Sequence, residues 1–279
     1  MTAAVSPVDR ATLHGPQRMV GLKVTQWRVI RSEWTKFRSL RSSVIVLLVA
    51  FVLTVGIGAL VSGIVAAQWD TASPGDRASF HALDTSLTGV VIAQLAVGVL
   101  GVLILSGEYA TGMIRSSLTA VPKRLTVLWA KLWMFAGVVG GVSIAASFAA
   151  FFIGQALLSD KGINVSITSP DTLRMVVGAG VYMTLLGIIG LALGGLLRNT
   201  AAAVSSLVAV TFVIPPVMYL LPSSVGDRVG PYLPSNAGQS VWLHSTDAHL
   251  GPLTGFAVLC AWTVAAVAAA ALRMKRSDA

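Results

Sequence analysis

Six mostly apolar stretches, each of about 20 residues or more, run roughly over 44–66, 87–106, 128–158, 173–197, 201–221 and 253–272. About 20 residues rising 1.5 Å each are what a helix needs to cross the ~30 Å hydrocarbon layer of a bilayer. A helix also satisfies its own backbone hydrogen bonds, which hydrocarbon cannot do for it. The expected fold class is therefore an all-α integral membrane protein with six transmembrane helices. Composition agrees: 55% of the residues are hydrophobic, 11% are charged, and the mean hydropathy is +0.79. A soluble domain carries about 25% charged residues, and one soluble core of this length would not take up so much apolar surface. The third stretch is long enough to tilt or to project past the bilayer. The fifth holds Pro215-Pro216 near its far end, where two missing backbone donors are expected to kink or end the helix. The first begins only at Val44 and exceeds the roughly 7–15 residues of a signal-peptide core, so it reads as a retained anchor.

The net charge is +9 and the pI about 10.3. In a soluble protein this would suggest nucleic acid. Here the cations flank apolar runs, so they set orientation and no nucleic-acid partner is expected. With the N-terminus inside, every Lys and Arg except Arg77, Lys161, Arg174 and Arg228 falls on the cytoplasmic side, which places both termini there. Asp70, Asp76, Asp84, Asp160, Asp171, Asp227 and Asp247 fall outside. Residues 1–22 are polar and read as a disordered cytoplasmic tail, and 23–279 as a single transmembrane domain.

Residues 24–41 read as a basic amphipathic helix lying in the inner interface. Trp27, Ile30, Trp34 and Phe37 recur every three or four positions, with Val24 and Leu40 extending the stripe. Arg28, Arg31, Lys36, Arg38 and Arg41 lie mostly off that stripe, and tryptophan suits the headgroup level. In the last outer loop, "LPSNAGQSVW" predicts a short helix capped by Ser235, with Trp242 and Leu243 available to dip into the outer leaflet.

Several chemistries are excluded. A P-loop needs Gly-Lys to cradle phosphates, and no lysine here follows a glycine. There is no His-Glu-x-x-His pair and no cysteine cluster for metal; the lone Cys260 reads as a small buried hydrophobe. Gly141–Ile144 superficially resembles a rhomboid-protease serine motif. That serine needs a histidine at its own depth, and His14, His81, His244 and His249 all fall in the tail or the outer loops. No acid or histidine stands at mid-depth, which weakens a proton-coupled carrier. Gln94 and Gln155 are the main polar side chains within the spans. Gly137 with Gly141, and Gly187, Gly190 and Gly194, read as helix-packing positions.

Between the second and third stretches lies "GEYATGMIRSSLTAVPKR" (107–124). Residues 111–120 can form about two and a half helical turns, ended by Pro122. A plain turn would need only a few residues; a short cytoplasmic helix held between two spans is shaped to touch a partner. The pattern Glu108-Tyr-Ala-Thr-Gly112, followed by Pro122-Lys-Arg124 and Lys131, resembles the coupling loop of ABC-2 type transporter permeases. "RSEWTKFRSLRS" resembles the elbow helix of the same family, especially of its actinobacterial members, and "LPSNAGQSVW" is similar to its outer loop.

The resemblance implies a permease subunit of a bacterial plasma-membrane exporter, paired with a second copy or a homologue. A separate ATP-binding subunit would carry ATP and Mg, so this chain would hold no cofactor and would not itself be an enzyme. Thr111, Gly112, Ile114, Arg115, Leu118, Pro122, Lys123 and Arg124 would lie in or beside the docking surface. Glu108 would brace the loop, pairing with a cation such as Arg41 or Arg115. The apolar spans lean towards an amphipathic or lipid-like cargo. Two other readings stand beside this one: a membrane anchor or sensor that recruits a soluble partner, and a secondary carrier.

Overall fold

The computed structural model describes residues 25–114, 124–218, 220–244 and 250–276. Among these there are helices and turns but no strands. We label α1 (Gln26–Ser39), α2 (Arg41–Gln68), α3 (Ala82–Leu87), α4 (Val90–Ala110), α5 (Arg124–Ser159), α6 (Thr172–Leu197), α7 (Thr200–Val208), α8 (Pro234–Trp242) and α9 (Pro252–Arg276). Six segments are long and apolar enough to cross a membrane, and they coincide with the six stretches read from the sequence.

The boundaries differ in instructive ways. The second crossing starts at Ala82 and breaks between α3 and α4. A Cβ on Gly89, at that break, would fall 2.2 Å from the Thr54 carbonyl oxygen, so glycine lets α2 pass this close. Helix α5 runs 36 residues. At 1.5 Å per residue it is about 54 Å long and outreaches the apolar layer. The proline pair does not stop the fifth crossing at once. The chain winds through a π-helical turn, Ala209–Val213, and continues through Ile214–Met218. Pro215 and Pro216 have no N–H to give the preceding turn, and that turn widens to a longer hydrogen-bond register.

Helix α6 is the axis of the bundle and touches α4, α5, α7, α8 and α9. Its contact with α4 is backbone against backbone. A Cβ on Gly190 would lie 2.3 Å from the Gly98 carbonyl oxygen, and one on Gly101 would lie 2.0 Å from that of Gly187. Such approach maximises dispersion contacts where lipid offers no hydrophobic drive between helices. Gly137 and Gly141 take no part in such close approach: among the described residues nothing lies within 4 Å of a Cβ built on either.

At the end where α5 finishes and α6 begins, α8 inserts among α6 and α9. Its first residue is Pro234 and its N-cap is Leu233, so Ser235 is not the cap. Pro is favoured at that first position because its missing N–H would have had no helical partner. Trp242 is 1% exposed and lies 6.2 Å from the Tyr182 ring. It packs within the protein instead of dipping into a leaflet. The Asn236 amide donates to the Gly230 carbonyl at 2.9 Å, and Arg174 donates to the Val241 carbonyl at 3.0 Å. The two span glutamines are also anchored. Gln155 donates to Ser86 Oγ at 2.9 Å and accepts from the Val165 N–H at 2.7 Å, while Gln94 accepts from the buried Tyr182 hydroxyl.

Candidate functional site: a buried ion cluster where α4 gives way to α5

Helix α1 turns Val29, Glu33 and Phe37 inward, one every four residues. Its Trp27 and Trp34 are exposed, Ile30 is half-buried, and the three line a groove with Trp133 and Val138 of α5. Gln26 donates to the Thr126 carbonyl at 3.3 Å and fastens the start of α1 to α5.

The inward acid meets a cation from α5. Lys131 Nζ lies 2.5 Å from Glu33 Oε2 and 2.8 Å from Glu108 Oε1 at the end of α4. Lys36 Nζ lies 2.8 Å from Glu33 Oε1 and 3.3 Å from Glu108 Oε1. Glu33, Glu108 and Lys131 are buried; Lys36 sits at the rim. Two carboxylates thus face two ammoniums from three helices. An isolated buried ion loses several kcal/mol of hydration; here each carboxylate has both ammoniums within 3.3 Å. Burial pulls the Lys36 ammonium down, but the Glu33 and Glu108 carboxylates outweigh it and hold the group above the ordinary lysine value.

The cations that meet Glu108 among the described residues are thus Lys131 and Lys36, in place of the expected Arg41. The other expected cation, Arg115, lies outside the described residues. Glu108 Oε2 is buried with no hydrogen-bond partner among the described residues.

Beyond Glu108 the chain leaves the helix in an orderly way. The Arg198 guanidinium lies over the Tyr109 ring at 4.8 Å, a cation–π contact. The Thr111 hydroxyl donates to the Gly107 carbonyl at 2.9 Å. Gly112 adopts φ +72°, the left-handed conformation that ends many helices and that glycine takes without strain. Of the residues expected at a docking surface, Thr111 and Gly112 are exposed, and so is the neighbouring Met113. Ile114 is 3% exposed and packs into the core, so it offers no contact surface and supports the loop from beneath. Arg115, Leu118, Pro122 and Lys123 lie outside the described residues, and Arg124 is the first residue of α5.

Sequence reasoning missed Glu33. A signal was available: it is the sole acid in 24–41, and it stands four residues from both Val29 and Phe37. A carboxylate on the face of a basic helix that turns towards the protein needs a buried cation. The cluster joins α1, α4 and α5 through their side chains. No group of three His, Cys, Asp or Glu residues suited to a metal occurs among the described residues. No known protein-family profile matches the chain, and no curated protein does either.

Proposed function

We propose that this chain is the permease subunit of an ATP-driven exporter of the ABC-2 type. It sits in a bacterial plasma membrane with both termini inside and pairs with a second copy or a homologue. A separate ATP-binding subunit, which carries ATP and Mg, docks on the connection between α4 and α5. The cargo is amphipathic or lipid-like, in keeping with the apolar spans.

The ion cluster is the observation that carries this reading. A stroke delivered to a loop does work only if the loop is stiffly rooted. Glu108, in the last turn of α4 where the connection begins, is tied through Lys131 to α5 and through Lys36 to α1. Closure of the ATP-binding pair would then push three helices together and switch the permease between inward and outward access. That no lysine follows a glycine, as a phosphate cradle needs, supports placing ATP hydrolysis on a separate chain. The lack of ionisable residues at mid-depth argues against a proton-driven carrier.

The test is ATP-driven flux in inverted vesicles holding this chain and its ATP-binding partner. Glu108→Ala and Arg115→Glu are expected to leave insertion and ATP hydrolysis in place while flux is lost. Undiminished flux in both variants discards the coupling role of this loop. A cysteine at Met113 should react with a membrane-impermeant thiol reagent from the cytoplasmic side only.

A further inference from the structure

Beside the buried stripe of Val29, Glu33 and Phe37, helix α1 carries a second one: Trp27, Ile30, Arg31 and Trp34. This second stripe borders a groove of about 630 Å³ whose other wall is α5. On α5 the groove follows Trp133, Gly137 and Gly141, which stand four residues apart and share one face. Both glycines are exposed, and a Cβ built on either meets nothing within 4 Å among the described residues, so the trough is open. Val138 and Val142 run beside them and make its far end apolar. Arg31 is exposed and is the only ionisable side chain among the described residues that line the groove.

We propose that this groove holds an anionic phospholipid, with its phosphate on the Arg31 guanidinium and an acyl chain laid along Gly137, Val138, Gly141 and Val142. The planar fork of arginine matches a phosphate, and the tryptophans at the same end suit headgroup depth. From Trp133 the trough then follows α5 along the third crossing, where only an apolar chain is at home. Charge selects the headgroup. The phosphate has its arginine, but with no acid in the lining the ammonium of a zwitterionic lipid finds no counterpart. Charge also disfavours a second copy of this chain as the occupant. Two-fold pairing sets the same patch against itself, which would bring two Arg31 guanidiniums to one apolar interface where repulsion is poorly screened. The volume falls within the range of ligand sites, about 300–1,000 Å³. The inference rests on the long helices being membrane spans and not on the transport reading, so it is measured without an ATP-binding partner.

The test takes the full chain from nanodiscs holding equal amounts of phosphatidylglycerol and phosphatidylcholine with the same acyl chains, and counts retained lipids by native mass spectrometry. Phosphatidylglycerol should be retained roughly fivefold over phosphatidylcholine, the preference that one arginine near a membrane surface supplies. Free glycerol phosphate should not displace it, since it lacks the chains. Arg31→Gln should erase the preference and Arg31→Lys should restore part of it. Arg38→Gln removes an exposed cation of α1 that does not line the groove and should change nothing. Gly141→Leu fills the trough from a position with open space around it and should abolish retention; Gly137→Leu does the same one turn away. In a Cys260→Ser background, Gly141→Cys should form no disulfide between copies in oxidised membranes. Equal retention of the two lipids, an equal loss in Arg38→Gln and Arg31→Gln, retention that survives both leucines, displacement by glycerol phosphate, or a disulfide-linked pair through residue 141 would overturn the proposal.

Discussion

The two ends of the bundle are held by different physics. Where α4 passes to α5, three helices meet through buried ions. Where α5 passes to α6, α8 is wedged in by shape, with Gly238 against Tyr182 and Trp242 buried behind it. An ionic joint fails when a charge is removed, because its partner stays buried and unpaired. A packed joint fails when volume is added. The first is directional and can transmit a push; the second rests on fit, with the Arg174 guanidinium only at its edge, donating to the Val241 carbonyl.

Substitutions can separate these behaviours. The largest effect is expected from Lys131→Met, which leaves two buried carboxylates to share the rim ammonium of Lys36. It should cost about 3–5 kcal/mol, read as a fall in the thermal midpoint of the detergent-solubilised protein. Adding Glu33→Gln to it should recover part of the loss, and strictly additive losses would show that the two groups are not coupled. At the packed end, Gly238→Ala sets a Cβ 2.2 Å from the Tyr182 ring and should cost about 1–3 kcal/mol. Lys131→Met and Gly238→Ala should add independently, since they lie at opposite ends. Gly112→Ala forces a side chain to φ +72° and should cost about 1–2 kcal/mol, less than either joint.

The smallest effect is a pH dependence. The Lys36 pKa is raised on folding, so its stabilisation is fully present below the ordinary lysine value near 10.5 and is lost as pH rises through the higher folded value. A slight drop in thermal midpoint above about pH 10.5 should therefore be missing in Lys36→Met.

The spans were legible because hydropathy over about 20 residues reports directly on what a bilayer accepts. All six lie where the sequence placed them, within a few residues at most ends. Gly112 was legible as part of a motif, although its left-handed conformation was not. What could not be read was which side chains meet across the bundle. Lys131 was marked in the motif, but its partnership with Glu33 spans 98 positions of sequence. No periodicity within one helix carries that information. The role of α8 failed for a related reason. Its glycine, serines and tryptophan suit a lipid-dipping loop as well as a wedge, and only the small residues of the facing helices decide between them. The π-helical turn was foreshadowed by Pro215-Pro216, but the prolines alone do not say whether a helix breaks or widens.

The backbone contact between α4 and α6 has a mechanical consequence. Two rods that touch carbonyl to glycine leave a seam too narrow for any lipid tail to enter, so prising them apart would open a void that nothing nearby can fill. These rods therefore travel as one strut, and any passage through the protein must open along some other seam.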